Sequence, residues 1–181
     1  MGSKPKILWL NNLVMPDMAE SFGIKAGISG GWTVGLFNAV QSTNSVNLTV
    51  VFPMYGKTGV QKREKNGVTY YGVGVSLKYD MYDKETEAFF KEIIASESPD
   101  MVHVFGCEFP HSLAMVRAFD NPEKTVISIQ GLTSIIPLHY LEGIPMSVIQ
   151  NRTLRERISG RGLLYERNQF SKRGLLEVEA V

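Results

Sequence analysis

Four short runs of apolar and β-branched residues recur along the chain, separated by stretches of other character, most of them helical in spacing. That alternation narrows the fold more than any other feature. The runs are KILWL (Lys6–Leu10), VNLTVVFPM (Val46–Met54), MVHVF (Met101–Phe105) and TVISI (Thr125–Ile129). Near-continuous apolar runs of this length mark strands buried on both faces, as in a parallel sheet covered by helices. The order predicts an α/β fold: a Rossmann-like, doubly wound, mostly parallel sheet with helices on both faces. At 181 residues the chain has the length of one such domain.

The connecting stretches are more varied. Asn11–Ser29 holds Pro16, Gly23 and Gly27 without a sustained period and reads as a long loop. From Trp32 onward, Val34, Leu36, Phe37 and Val40 give helical spacing, and the stripe Trp32-Leu36-Val40 is expected on one face. Lys84–Ser98 is the clearest helix, with Phe89, Phe90, Ile93 and Ile94 on one side, Asp83 as N-cap and Pro99 just beyond. Phe109–Phe119 predicts another. Asn66-Gly67 joins REK to VTYYGV, the signal for a tight hairpin turn, expected near 60–75 as an excursion from the parallel sheet.

Charge and cysteine usage bound the function. A formal charge of +1 argues against nucleic-acid binding through overall charge. The basic residues are uneven: Arg152, Arg155, Arg157 and Arg161 open a tail in which only Glu156 and Glu166 oppose them as far as Gly174. Such a run is either a solvated face or a surface for anionic lipid or a partner domain. The single Cys107 forms no internal disulfide, so a cytoplasmic setting is expected, with peripheral attachment at the inner face of the membrane if the tail meets lipid.

Several chemistries are excluded by spacing. Gly27-x-x-Gly30-Gly31 is not a dinucleotide fingerprint, no Lys-Ser/Thr follows it to make a P-loop, and there is no G-x-S-x-G. His103, His111, His139 and Cys107 lack the short spacings of a zinc site, so no metal is expected.

Three constellations remain, at the ends of predicted strands where doubly wound sheets bind ligands. Gly30 and Gly31 open a helix, where free N–H groups and the helix dipole favour an anion; they equally ease loop packing. In HVFGCEFPHS, Glu108 and His111 could bond sugar hydroxyls or move a proton, though Glu108 could equally be a first-turn acid stabilising its own helix; His103 reads as a hydrogen-bonded core residue and Cys107 as inert. In ISIQGLTS, Gln130 can donate and accept hydrogen bonds but is no proton-transfer base.

In this order KILWL, the long loop, GGWTVGLFNAV, NLTVVFP, PDMVHVFG and KTVISIQG resemble the N-terminal domain of retaining glycosyltransferases of two-domain GT-B architecture, family-4 (group 1) type. The resemblance implies that residues 4–181 are the acceptor-side domain, truncated at its C-terminal end. The donor-binding domain, with its Glu-x7-Glu motif, would be missing, and this chain alone would be inactive. It implies hexosyl transfer from a nucleotide-sugar, a substrate rather than a cofactor, to a glycan or lipid-linked acceptor of a polysaccharide pathway. Gly30 and Gly31 would approach the donor diphosphate; Asn11, Asn12, His111 and Gly131 would face the acceptor; Gln130 and Glu108 would carry the catalytic positions. Family members commonly have His-Gly where this chain has Gln130-Gly131, so Gln130 would hold the sugar without moving a proton. The alternative is a flavodoxin-like binding or regulatory module. Asn11-Asn12 stand where a receiver module needs acids, and flavin would colour the protein yellow.

Overall fold

The computed structural model of the chain describes residues 3–25, 30–78 and 80–181. Among these, six strands form one sheet: β1 (Lys6–Leu10), β2 (Asn47–Tyr55), β3 (Val60–Lys65), β4 (Val68–Val75), β5 (Met101–Phe105) and β6 (Thr125–Ser128), in the order β3-β4-β2-β1-β5-β6. β1 pairs in parallel with β2 on one side and β5 on the other, so Leu8 lies between Thr49 and Val102. The chain lays strands outward from β1 in both directions, and the gap between β1 and β5 is the topological switch point.

The hairpin differs from the expected excursion. β4 pairs in parallel with β2 from Thr69 to Val75 and is a full member of the sheet; only β3 runs antiparallel, at the edge. The residues account for this. VTYYGVGV is buried along almost its whole length, whereas VQKREK is mostly exposed, and its charges blunt an open sheet edge. Asn66 (φ 52°) and Gly67 (φ 75°) both sit in the left-handed region, as a two-residue type I′ turn requires.

Alternation along the strands splits the core between two faces. Leu8, Leu10, Val51, Tyr71 and Val104 face α2 (Lys84–Glu97) and α3 (Pro110–Phe119), meeting Phe90, Ile93, Ala114 and Met115. Asp83 caps α2 by accepting from the Glu85 N–H at 3.0 Å. On the other face Trp9, Val50, Phe52 and Tyr70 meet α1 (Gly31–Thr43).

The inward stripe of α1 is not the expected one. Val34, Phe37 and Val40 pack on the sheet, while Trp32 and Leu36 are 53% and 37% exposed. Trp32 lies in the first turn, at the rim beyond the carboxyl ends of the strands, where its ring meets that of Phe105 (centroids 5.6 Å apart).

The loop after β1 is described as far as Lys25; positions 26–29, including Gly27, lie outside the described residues. Its Met15, Met18, Ala19 and Phe22 are buried, so this loop is part of the core beside α1. Phe22 meets Phe52 edge-on at 4.8 Å. Gly72 makes that possible, because a Cβ there would lie 2.9 Å from Phe22 Cδ1 and 2.6 Å from Met54 Sδ.

Beyond β6 come α4 (Ile136–His139), α5 (Met146–Gln150), α6 (Leu154–Ser159) and α7 (Leu163–Ala180). α7 lies against α3 and α4. Among the described residues, no helix is long and apolar enough to cross a membrane.

Candidate functional site

The carboxyl ends of β1, β5 and β6 open onto a cavity of about 210 Å³. Asn11, Asn12 and Leu13 wall it after β1, Phe105 at the end of β5, Gln130 after β6, and Gly30, Trp32 and Thr33 at the start of α1. It stands at the switch point, where a doubly wound sheet leaves room between loops that diverge to opposite faces.

Asn11 continues β1 by one bond, its N–H reaching Val51 O at 2.8 Å. Its side chain is buried: Nδ2 approaches Met15 Sδ at 3.5 Å, and Oδ1 has no hydrogen-bond partner. Asn12 is held from behind by His111, whose Nε2 lies 2.9 Å from Asn12 Oδ1. His111 is itself buried, stacks on Phe109 at 5.3 Å, and is driven by burial down to a pKa of about 3. It is therefore a neutral ring, placed outside the cavity wall.

Gly106 (φ 88°) turns the chain after β5. A Cβ there would fall 2.6 Å from Glu108 Oε2 and 2.7 Å from Asn12 Nδ2, so the missing side chain makes room for both groups. Burial pushes the Glu108 carboxyl up, against the pull of nearby backbone N–H groups and Arg173, and its Oε2 has no hydrogen-bond partner. Glu108 precedes the N-cap Phe109 and lies beside the cavity, not in its wall.

The two glycines differ. Gly30 (φ 87°) caps α1 and accepts from Thr33 N–H at 3.0 Å; its conformation and Leu13 Cδ1, 3.2 Å from an added Cβ, both favour glycine. A Cβ on Gly31 would meet nothing within 4 Å, so packing among the described residues does not demand glycine there. Gly131 follows Gln130 outside the wall, its nearest neighbour to an added Cβ being Ile136 Cδ1 at 3.9 Å.

Two other residues of the β5 region are structural. His103 Nε2 pairs with Ser128 Oγ at 2.8 Å, and its ring stacks on Phe105 at 4.0 Å; burial lowers its pKa. Cys107 is fully buried and its thiol is pushed up to about 11, chiefly by desolvation, which leaves it without nucleophilic thiolate.

The structure thus brings Asn11, Asn12, Gly30 and Gln130 into one wall, and sets Glu108 and His111 behind it. Sequence reasoning missed three further groups. Trp32 and Thr33 stand at the mouth because α1 begins at the rim of the sheet. Glu177 of α7, also buried, accepts from the Thr133 N–H, from Thr133 Oγ1 (2.6 Å) and from Ser134 Oγ (2.7 Å), anchoring the loop that carries Gln130. The only sequence signal for it is a Thr-Ser pair without a local acceptor. Among the described residues no cluster of three or more His, Cys, Asp or Glu side chains is placed to hold a metal ion.

The class these features define is a doubly wound α/β domain whose ligand crevice lies at the carboxyl edge of the sheet. No family model and no curated protein matches the chain. Among solved structures, one titled "Trehalose-6-phosphate from E. coli bound with UDP-2-fluoro glucose" is similar at a TM-score of 0.40 and 11% identity, over 64% of this chain and 30% of that one. The match therefore spans under a third of that protein's length.

Proposed function

We propose that residues 4–181 are the acceptor-side domain of a two-domain, family-4 type GT-B glycosyltransferase, which moves a hexose with retention from a nucleotide-sugar to a glycan or lipid-linked acceptor. One observation carries the reading. The switch-point cavity gathers the carboxamides of Asn11, Asn12 and Gln130 from two distant segments and sets them beside the start of α1. Carboxamides both donate and accept, which suits sugar hydroxyls, and a helix N-terminus suits an anionic diphosphate.

In this reading Gly30 lets the α1 amides approach the diphosphate held by a second domain, with Gly31 leaving space beside it. Gln130 bonds a hydroxyl of the transferred sugar and moves no proton. Glu108, its carboxyl raised by burial, stands behind the wall and supports the catalytic position from there, while the leaving diphosphate assists the attack of the acceptor hydroxyl. His111 acts on the acceptor through Asn12, and Gly131 keeps the main chain beside Gln130 open to it.

The test is turnover by the protein carrying its second domain, across a panel of nucleotide-sugars. Transfer to a glycan or lipid-linked acceptor, or slow donor hydrolysis, is expected with one donor class and should fall in Gln130→Ala. Neither activity with any donor would remove the reading.

A further inference from the structure

α7 carries a second hollow, separate from the crevice. Tyr165, Gln169 and Arg173 follow one another at four-residue steps along one face of the helix, and Arg161 stands just before it. With Asp80, in the connection from β4 to α2, they line a space of about 330 Å³. None of these residues lines the crevice. Lys172 Nζ reaches Asp80 Oδ2 at 2.7 Å and so ties the two walls together.

The charges of this lining do not balance. Among the described residues, neither Arg161 nor Arg173 forms an ion pair. Arg173 is half-buried, and its guanidinium lies 4.4 Å from the centroid of the Phe170 ring. Its Nε is closed off without an acceptor, whereas its two terminal nitrogens keep accessible surface. Of the two carboxylates in the lining, Asp80 is held by Lys172, which leaves Glu166 alone against two guanidiniums. A guanidinium taken partly out of water without an anion carries a desolvation cost that an anionic ligand removes.

The rest of the lining narrows the anion. The planar guanidinium fork suits a carboxylate or a phosphate, either of which it grips through parallel N–H···O bonds. The volume exceeds the roughly 300 Å³ at which ligand pockets begin, so there is room for more than a bare ion. Beside the arginines stand the Tyr165 ring, the Gln169 carboxamide and the Glu166 carboxylate, an apolar face with acceptors for hydroxyl donors. A hydroxylated ring that bears an oxyanion uses all of them. A zwitterion would leave the excess positive charge uncancelled.

We propose that this hollow binds a sugar bearing an oxyanion, a carboxylate or a phosphate, with the terminal nitrogens of Arg173 on the oxyanion and Tyr165 and Gln169 against the ring. The site lies apart from the crevice and rests on no assumption about sugar transfer.

The test titrates the isotopically labelled 181-residue chain with glucuronate, galacturonate, glucose 6-phosphate and mannose 6-phosphate. The neutral methyl glycosides of the three sugars and inorganic phosphate are the controls. At least one charged sugar should shift the amide resonances of residues 165–173 saturably while those of Asn11, Asn12 and Gln130 stay still. The arms separate the two sources: binding of uronates alone marks a carboxylate site, and binding of 6-phosphates alone a phosphate site. Arg173→Gln should raise the Kd by about tenfold or more. Tyr165→Ala, at an exposed position where folding is not at stake, should raise it by about tenfold. No saturable shift with any charged sugar, equal affinity for a neutral glycoside or for inorganic phosphate, or unaltered affinity in either variant would overturn the proposal. Shifts confined to Asn11, Asn12 and Gln130 would put the sugar in the crevice and overturn it as well.

Discussion

His111 Nε2 donates to Asn12 Oδ1 across 2.9 Å, joining two residues 99 positions apart at the back of the cavity wall. Because burial lowers the imidazole to about 3, the ring is neutral at physiological pH, and with the Asn12 oxygen as acceptor its proton sits on Nε2.

This pairing predicts a pH-dependent stability. A histidine whose pKa is lower folded than unfolded binds its proton first in the unfolded chain. Its contribution is therefore complete above about 6.5 and falls by about 1.4 kcal/mol per pH unit as pH drops toward 3. Glu177, Glu97 and Asp80, whose carboxyls are held below their ordinary range, lose their contributions only below about 4.5. His103, also lowered by burial, loses its contribution over the same range in wild type and His111→Gln alike, so comparing the two by denaturant unfolding isolates His111: from pH 6.5 to 5.5 wild type should lose about 1 kcal/mol more than His111→Gln. Equal losses in the two proteins would show that His111 is not buried neutral.

Glu177 and Gly174 predict a second effect, on the loop that carries Gln130. Thr133 and Ser134 lose their shared acceptor in Glu177→Ala, which should cost about 1–3 kcal/mol. Gly174→Ala should cost a similar amount, because its Cβ would lie 2.6 Å from Ser134 Cα, and backbone cannot swing aside as a side chain can. Hydrogen exchange at 132–136 should quicken in both variants while β1 and β5 stay protected. Uniform quickening across the sheet would mean that α7 supports the whole fold and not this loop.

How far the sequence reveals these relationships depends on how local they are. β1, β5 and the Asn66-Gly67 turn are legible because strand period and left-handed turn chemistry are written within a few residues. The switch-point crevice follows from the strand alternation, so Asn11, Asn12 and Gln130 are legible in the sequence as residues just beyond strand ends. The stripe of α1 is ambiguous in the sequence because Val34-Phe37-Val40 and Trp32-Leu36-Val40 are both apolar at helical spacing. Only the position of the helix start against the sheet rim chooses between them. The pairings His111–Asn12 and Glu177–Thr133 leave no local trace, since each joins residues at least 44 positions apart.

The hairpin supplies a third prediction, confined to the edge of the sheet. Gly67 at φ 75° lets the chain turn between β3 and β4, and a Cβ there meets no neighbour, so the cost of substitution is conformational alone. Gly67→Ala should lower stability by about 1–2 kcal/mol, and Asn66→Gly should leave it nearly unchanged. Chemical denaturation of both variants measures this. A neutral Gly67→Ala would mean that the turn relaxes to another type.

The arginine tail is where charge and exposed apolar surface coincide. Thr153 and Glu156 form a capping box that starts α6, and its Leu154 and Ile158, one turn apart, are 74% and 80% exposed. Arg155 and Arg157 lie on the same helix and Arg152 and Arg161 flank it, and among the described residues none of the four forms a salt bridge. An exposed apolar pair on a helix that carries and is flanked by arginines fits an anionic bilayer surface, where each basic residue contributes about 1 kcal/mol. The protein should therefore sediment with phosphatidylserine-containing vesicles at low salt and release as salt shortens the screening length. Replacing all four arginines by Gln should weaken binding at least a hundredfold, and Leu154→Ser with Ile158→Ser should weaken it further at any salt. Neutral vesicles should not bind. Retention that ignores both salt and lipid charge, or no binding to anionic vesicles at low salt, would return the tail to a solvated face or a surface for a partner domain.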